Sequence, residues 1–153
     1  MTEKNLHYVE AATVLMTGSG ELLKTNNVKK IFHAAAVRGD PGAGYQPVQN
    51  VQNCVTNSLL RADSEDLRDQ KCETIAFPLF GTGTARSELE PIVKPLLESA
   101  IFYLSENPAS RIQRIYFLAW RDVELEPCIA VLEKDKRAAP VKQFPIARGA
   151  FGR

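Results

Sequence analysis

Two glycines in a short loop are the residues of this chain best suited to hold a phosphate group. Gly81 and Gly83 follow the apolar run from Thr74 to Leu79, which has the length of a buried strand, and a helical pattern opens at Ser87. Glycine has no Cβ, so the main chain can turn tightly and approach a ligand closely. The first N–H groups of a helix have no partner within it. Such a loop can bind an anion.

The spacing of the two glycines matches neither of the common phosphate loops. A P-loop requires a lysine directly after its last glycine, and no lysine follows Gly83 before Lys94. The Rossmann fingerprint requires a third glycine, where this chain has Arg86. From the pattern alone, a plain connection between strand and helix is favoured over a ligand site.

Cysteine and histidine give weaker signals. The chain has three cysteines, Cys54, Cys72 and Cys128. Their number is odd and none forms a Cys-x-x-Cys pair, which predicts reduced thiols and no metal site. His33 lies in an apolar strand without a nucleophile or carboxylate nearby, so we interpret it as a core histidine rather than a catalytic base.

Two further glycine-rich segments are predicted to be connections. Gly18-Ser19-Gly20 is interpreted as a turn, because Glu21 would repel an anion and no good helix is expected before Asn26. The segment from Arg38 to Tyr45 contains three glycines and a proline and predicts an exposed loop that could line the rim of a cleft. Its Arg-Gly-Asp triplet is an integrin motif only in secreted proteins, and the chain opens without a signal peptide.

Length and composition favour one soluble, intracellular domain. The chain has 153 residues, of which 44% are hydrophobic, enough for one core. A net charge of +1 gives no general nucleic-acid signature. No apolar run approaches the ~20 residues that span a bilayer, so we expect no membrane contact and a cytoplasmic, or else nuclear, location.

Strand and helix patterns alternate along the chain. Strands are predicted at Thr13–Thr17, Lys29–Val37, Thr74–Leu79 and Arg114–Trp120. Helices are predicted from Pro47 to Ala62, from Ser87 to Ser105 and from Val123 to Leu132. Ser87 and Glu90 form a capping-box pattern, and Pro95 predicts a kink or a later helix start. Asp63 to Lys71 is highly charged and is interpreted as a solvated connection.

This alternation predicts a three-layer α/β/α sandwich with a mixed, mostly parallel sheet. Ligands of such sheets bind beyond the carboxyl ends of the strands. The loop from Phe80 to Arg86 and the residues after Trp120 would share one rim if their strands are neighbours. We place the α/β domain at residues 1–133 and a basic, proline-containing arm at residues 134–153.

Three segments resemble a known family. The run Ile75-Ala76-Phe77-Pro78-Leu79-Phe80-Gly81-Thr82-Gly83, preceded by Lys30–Ala34 and followed by Ile115–Trp120, is similar to the later part of a macro domain, the family that binds ADP-ribose. The similarity extends from about Ala12 to Leu132. The Phe-Pro-x-x-Gly-Thr-Gly segment is its most specific part, since the other two segments are ordinary apolar strands.

The resemblance implies a ligand and a set of site residues. Main-chain N–H groups would hold the diphosphate of ADP-ribose, and an aromatic side chain would lie near the adenosine. The implied diphosphate loop comprises Phe80, Gly81, Thr82, Gly83, Thr84, Ala85 and Arg86, and the adenosine side comprises Trp120 and Arg121. No cofactor and no metal are implied. From chemistry alone, Trp120 could equally be a half-buried aromatic at a strand end.

The chain also departs from the family. Arg86 stands where glycine is usual, and Arg121 stands where an acidic residue is common, so both would add positive charge near the diphosphate. The opening strands, the asparagine-containing loop and the adenine-binding aspartate of the family have no counterpart before Leu6, so the domain is expected to be truncated or divergent at its N-terminus. The missing part includes a central strand. The open sheet edges would be filled by Val141–Ile146, by another subunit or by a partner segment.

These observations favour a binding module for ADP-ribose or a related nucleotide diphosphate, including an ADP-ribosylated protein, without catalysis. Family members that hydrolyse ADP-ribose linkages use the glycine-rich and asparagine-containing loop that is not found here. The alternative is a protein-interaction or scaffold domain that kept the fold and lost the ligand. An ADP-ribosyl hydrolase ranks third, because its catalytic loop would have to come from a partner chain.

Overall fold

The computed structural model describes residues 9–40, 42–84 and 89–139, and strands and helices alternate within them. The strands are β1 (Val14–Gly18), β2 (Lys30–Ala34), β3 (Val37–Asp40), β4 (Gly44–Pro47), β5 (Thr74–Pro78) and β6 (Arg114–Leu118). The helices are α1 (Leu22–Asn26), α2 (Asn53–Ala62), α3 (Glu90–Glu106) and α4 (Asp122–Lys134), with 3₁₀ helices at Glu65–Gln70 and Thr82–Thr84. The predicted α/β class is confirmed.

The strands of the described residues form three pairs. β1 and β2 are antiparallel, as are β3 and β4, whereas β5 and β6 are parallel and pair in register from Thr74 opposite Arg114 to Pro78 opposite Leu118. The parallel part of the expected sheet is therefore the β5–β6 pair. The three pairs share no hydrogen-bonded strand, so the single continuous sheet that we expected is not formed by these residues.

The core lies between the helices and one face of the β5–β6 pair. Along β5 and β6 the side chains alternate, so that Phe77 and Phe117 face the helices and stack on each other with ring centroids 5.6 Å apart. Leu59 of α2 and Leu96 of α3 are fully buried in the same cluster. Tyr116 and Leu118, on the other face, are exposed. The third layer of the expected sandwich is thus not formed by the described residues.

The segment from Asp63 to Lys71 is mostly exposed, as expected of a solvated connection, but two of its residues anchor it to the fold. Leu67 is buried within its 3₁₀ helix. The Asp63 carboxylate accepts hydrogen bonds from the Tyr103 hydroxyl at 2.7 Å, the Ser110 hydroxyl at 2.6 Å and the Arg111 main-chain N–H at 2.9 Å. Asp63 therefore ties the end of α2 to α3 and to the approach to β6, a long-range role that the local run of charges does not reveal.

The predicted strand from Lys29 to Val37 is divided, and the predicted loop after it is a hairpin. β2 ends at Ala34, and β3 and β4 then form an antiparallel pair that includes the Arg-Gly-Asp triplet. A Cβ at Gly39 would lie 2.1 Å from the carbonyl oxygen of Gly44. The glycine therefore permits the close strand approach, and glycine content was a misleading loop signal here.

The segment Gly18-Ser19-Gly20 is a turn, as predicted, but a short helix follows it. Ser19 is buried and its hydroxyl donates to the carbonyl oxygen of Val28, which closes the turn across α1. A five-residue helix, α1, thus lies where we expected no good helix, although none of its residues is buried. His33 is also not a core residue, because its exposed ring hydrogen-bonds the Thr17 hydroxyl at 2.9 Å.

Three helix boundaries differ from those predicted. α2 begins at Asn53, although Val48 is buried as the apolar pattern from Pro47 indicates. α3 begins at Glu90 with Leu89 as N-cap and no side-chain cap, and Ser87 lies outside the described residues. The helix therefore starts later than the capping pattern suggests, and it continues past Pro95. α4 likewise includes Pro127 and ends at Lys134.

Residues 140–153 lie outside the described part of the chain, as does the segment Val141–Ile146 that we considered as a sheet filler. The arm predicted at residues 134–153 therefore stays a prediction, and Lys134 itself is the last residue of α4. Among the helices that the structure describes, none is both long and apolar enough to span a membrane.

Candidate functional site

The two chain segments predicted to share a rim do leave the sheet at the same edge. β5 and β6 are parallel neighbours, and Pro78 pairs with Leu118 at their carboxyl ends. Phe80 therefore follows one strand where Trp120 follows the other. This edge is where ligands of α/β sheets bind.

The first glycine of the loop has a role in the fold. Gly81 has a φ of +87°, which L side chains rarely adopt. A Cβ at Gly81 would also lie 3.4 Å from Cγ2 of Ile92 on α3. Gly83 differs, because a Cβ there would meet nothing within 4 Å. The fold therefore favours glycine at position 81, while no described residue fills the space beside exposed Gly83.

The main-chain N–H groups of the loop are partly available. Thr82 is buried, and both its N–H and its hydroxyl donate to the carbonyl oxygen of Leu79, at 3.3 and 2.9 Å. The N–H groups of Phe80 and Gly81 have no acceptor within the described part of the chain. Thr84 completes the 3₁₀ helix, and Ala85 and Arg86 lie outside the described residues. One of the predicted phosphate donors is thus already occupied.

Trp120 is exposed at the rim. Its relative exposure is 93%, so the alternative of a half-buried aromatic at the strand end is wrong. The Trp120 main-chain N–H donates to Oε2 of Glu124 at 2.8 Å, which holds the backbone while the indole remains uncovered. A flat, uncovered ring fixed at its backbone can stack on a base.

Arg121 does not supply the free positive charge that we expected. Its Nε and a terminal nitrogen donate to Oε1 of Glu124 at 3.1 and 2.9 Å, and its main-chain N–H donates to Oε2 at 3.2 Å. Glu124 is buried, with 4% exposure. The guanidinium hydrogen bonds, first among the causes, hold the pKa of Glu124 below its ordinary value. The pair is neutral overall, so Arg121 positions the start of α4 and adds little attraction for an anion.

The link between Arg121 and Glu124 predicts a pH dependence of stability. Because the pKa of Glu124 is lower in the folded protein, its contribution is complete above the unfolded pKa of about 4.3 and is lost as the pH falls through the folded value. In urea titrations at pH 6 and pH 3, we expect wild type to lose more unfolding free energy than Glu124→Gln, which cannot titrate. Equal losses in the two proteins would contradict this role.

Glu124 is the residue of the candidate site that sequence reasoning missed. Its position two residues after the helix start is a recognised place for an acid that accepts main-chain N–H bonds, so the signal was present. The predicted site residues otherwise divide between two places on the rim, the loop from Phe80 to Thr84 and the pair Trp120 and Arg121. No group of three or more His, Cys, Asp or Glu in the described ranges is arranged to hold a metal ion.

A comparison with protein-family models supports the family that the glycine loop resembles. A family model described as Macro domain matches residues 1–96, more than half of the chain. The match includes the loop from Phe80 to Arg86 and ends within α3, before Trp120 and Arg121. No curated protein matches the chain. The extent of the family match identifies the chain as a member of the macro domain family.

Proposed function

We propose that this protein binds ADP-ribose or a related nucleotide diphosphate, either free or attached to a protein, without catalysing its hydrolysis. Macro domains bind ADP-ribose in general. The observation that carries the proposal is the shared edge of β5 and β6, which presents the glycine loop after one strand and Trp120 after the other. Diphosphate and nucleoside would then occupy adjacent parts of one rim.

The loop would hold the diphosphate mainly through its main chain. Phe80 and Gly81 present N–H groups without an acceptor in the described residues, and Gly83 leaves space for a phosphate to approach. The Arg121–Glu124 pair supplies no net charge, so we expect Arg121 to contribute little to any salt dependence of the affinity. No resident cofactor is needed for this binding.

We expect no hydrolysis, because the buried carboxylate of this rim is not free to act as a general base. Glu124 is committed to Arg121 and two main-chain N–H groups, and Asp122, which precedes it, is exposed to solvent. Release of ADP-ribose from an ADP-ribosylated protein by the purified chain, at a rate above the buffer background, would overturn this part and favour a hydrolase.

A second candidate, an interaction or scaffold domain, is favoured by the uncovered sheet face. Tyr116, Leu118 and Trp120 alternate along one side of β6 and its extension, and all are exposed. A partner that covers this face would also cover the indole. This reading predicts a melting temperature that does not change with ADP-ribose. The three free thiols are consistent with a cytoplasmic or nuclear location in either case.

Isothermal titration calorimetry with ADP-ribose tests the proposed function. We expect Trp120→Ala to weaken binding by about 1 to 3 kcal/mol, the scale of a base stacked on an aromatic side chain. Gly83→Val should also weaken binding, since its side chain would enter the space that the fold leaves open. Phe102→Ala is the matched control, because Phe102 is an exposed aromatic in the second half of α3, whereas the loop lies beside Ile92 near the start of that helix.

Thermal melts distinguish a variant that has lost only the binding site from a variant that has lost the fold. Trp120 is 93% exposed, so the melting temperature of Trp120→Ala should equal that of wild type. Wild-type protein that gives no heat with ADP-ribose and no thermal shift would contradict the proposal. If Trp120→Ala and Gly83→Val both bind ADP-ribose with wild-type affinity, the binding site does not lie at this rim.

A further inference from the structure

The β3–β4 hairpin lies beside the glycine loop. A Cβ at Gly81 would come within 3.6 Å of Cγ and 3.7 Å of Cβ of Pro47, the last residue of β4. Tyr45 precedes Pro47 by two residues, so both side chains lie on the same face of the strand and their Cα atoms are about 7 Å apart. The hairpin therefore brings a second aromatic side chain close to the loop that we propose holds the diphosphate.

Tyr45 and Trp120 lie on opposite sides of that loop. Trp120 follows β6, which pairs with one edge of β5. The hairpin follows β2, whose residues Ile31 and Phe32 share a cavity with the whole of β5, and none of the described residues that line this cavity belongs to β6. β2 therefore faces the other edge of β5. The order across the rim is Trp120, the loop after β5, and the hairpin with Tyr45.

The ring of Tyr45 is uncovered. Its relative exposure is 55%, and its cross-strand partner is Gly39, so the pair contributes no second side chain that could pack on the ring. Val37 is paired with Pro47 on the same face of the hairpin and is as exposed as Tyr45. The hairpin thus presents an exposed apolar face that continues from the glycine loop.

Space for an aromatic group adjoins the hairpin. A cavity of about 830 Å³ is bounded by Val37 and Tyr45, and this volume is within the range of about 300 to 1,000 Å³ that is typical of small-molecule sites. Arg38 is the only charged residue among the described residues that line it, whereas Gln46 and Gln49 supply amide groups. Because an amide can both donate to and accept from the edge of a base, the lining favours an uncharged aromatic group with polar edges.

Position distinguishes Tyr45 and Trp120 from the other exposed aromatic residues. In the part of the chain that the structure describes, the aromatic side chains that are more than half exposed are Tyr45, Phe102, Tyr116 and Trp120. Phe102 lies in α3, and Tyr116 lies in the middle of β6. Only Tyr45 and Trp120 of these four follow the carboxyl end of a strand beside β5, which is the edge where ligands of α/β sheets bind.

We propose that the rim binds a dinucleotide, two nucleosides joined by a diphosphate, more tightly than it binds ADP-ribose. One base stacks on Trp120, the diphosphate lies on the loop at Gly81 and Gly83, and the second base stacks on Tyr45. Two residues of β4 separate Tyr45 from the loop, a distance comparable to the span of the ribose that separates a base from its phosphate. This inference rests on the proposed function and adds a second base to its ligand.

Diadenosine diphosphate and ADP-ribose are the matched probes, because diadenosine diphosphate carries an adenine on the second ribose where ADP-ribose has none. In isothermal titration calorimetry with the full chain, we expect diadenosine diphosphate to bind about tenfold more tightly, the scale of one base stacked on an aromatic side chain. Tyr45→Ala should bind the two ligands equally, with its affinity for ADP-ribose unchanged. Tyr45→Phe should keep the preference, because the ring is retained.

The controls distinguish this inference from the function on which it rests. Phe102→Ala removes an exposed ring from α3 and should keep the tenfold preference. The melting temperature of Tyr45→Ala should stay close to that of wild type, because the ring is exposed. Wild type that binds ADP-ribose without preferring diadenosine diphosphate would overturn this inference alone, as would a preference that persists in Tyr45→Ala. Wild type that binds neither ligand would overturn the proposed function and this inference together.

Discussion

Leu96→Ala is expected to lower the free energy of unfolding by about 2 to 5 kcal/mol, the range observed when a buried leucine is truncated. Leu96 lies on the inner face of α3, has 0% exposure and belongs to the core cluster with Leu59 and Phe77. The loss combines the burial of several methyl groups with the cavity left among side chains that cannot close it. Urea unfolding followed by circular dichroism provides the measurement.

Phe102→Ala is the matched control for this prediction. Phe102 lies on the same helix but is 57% exposed, so its truncation removes more carbon and yet should cost much less stability. A larger loss from Phe102→Ala than from Leu96→Ala would show that the inner face of α3 has been assigned incorrectly.

The same helix also supports the proposed phosphate loop. Ile92 of α3 lies beside Gly81, where a Cβ would come within 3.4 Å of its side chain. Loosening of α3 by Leu96→Ala should therefore reduce ADP-ribose affinity as well as stability. Added ligand should raise the melting temperature of the variant if the binding-competent fold still forms.

Asp63→Ala is expected to lower the free energy of unfolding by about 3 kcal/mol. The change removes the acceptor of the Tyr103 hydroxyl, the Ser110 hydroxyl and the Arg111 N–H. Breaking a buried charged pair costs about 3 to 5 kcal/mol, and the lower end applies because the Asp63 side chain is 17% exposed and water reaches part of it.

The pKa shifts of Asp63 and Tyr103 agree with the role of their hydrogen bonds in stabilising the fold. Burial raises the pKa of Asp63, but the hydrogen bonds from Ser110, Tyr103 and Arg111 outweigh it and hold the pKa below its ordinary value. Burial and the Asp63 carboxylate raise the pKa of Tyr103, so its hydroxyl remains a donor at neutral pH.

Asp66→Ala serves as the control for Asp63→Ala. Asp66 lies in the same acidic stretch and pairs with Arg61 at 2.6 Å, but it is solvent-exposed. We expect a much smaller change, since exposed ion pairs contribute little to stability. Equal losses from the two variants, measured by urea unfolding, would contradict a special role for Asp63.

The positions of strands and helices could be predicted where side-chain periodicity reports burial. β5 and α3 follow from the apolar run at Thr74 and from the apolar repeat after Ile92, and both are present. The hairpin of β3 and β4 could not be predicted, because the close approach at Gly39 depends on strand pairing and leaves only a glycine in the sequence. Local propensity there was overridden by pairing.

The candidate site could likewise be predicted only in part. Gly81, Gly83 and Trp120 could be selected from their residue types and from where their strands end. The state of each could not, because exposure and partners depend on residues that approach in space. Trp120 proved uncovered, the N–H of Thr82 proved occupied by Leu79, and Arg121 proved neutralised by Glu124.

By itself, the sequence determined the α/β class, the glycine loop after β5, and the order of the strands and helices other than α1, β3 and β4, since these depend on local chemistry and short-range periodicity. Only the tertiary structure decided which strands are neighbours, which charges are compensated and which aromatic side chains are exposed. Those properties depend on contacts between residues far apart in the chain, such as Asp63 with Arg111 and β5 with β6.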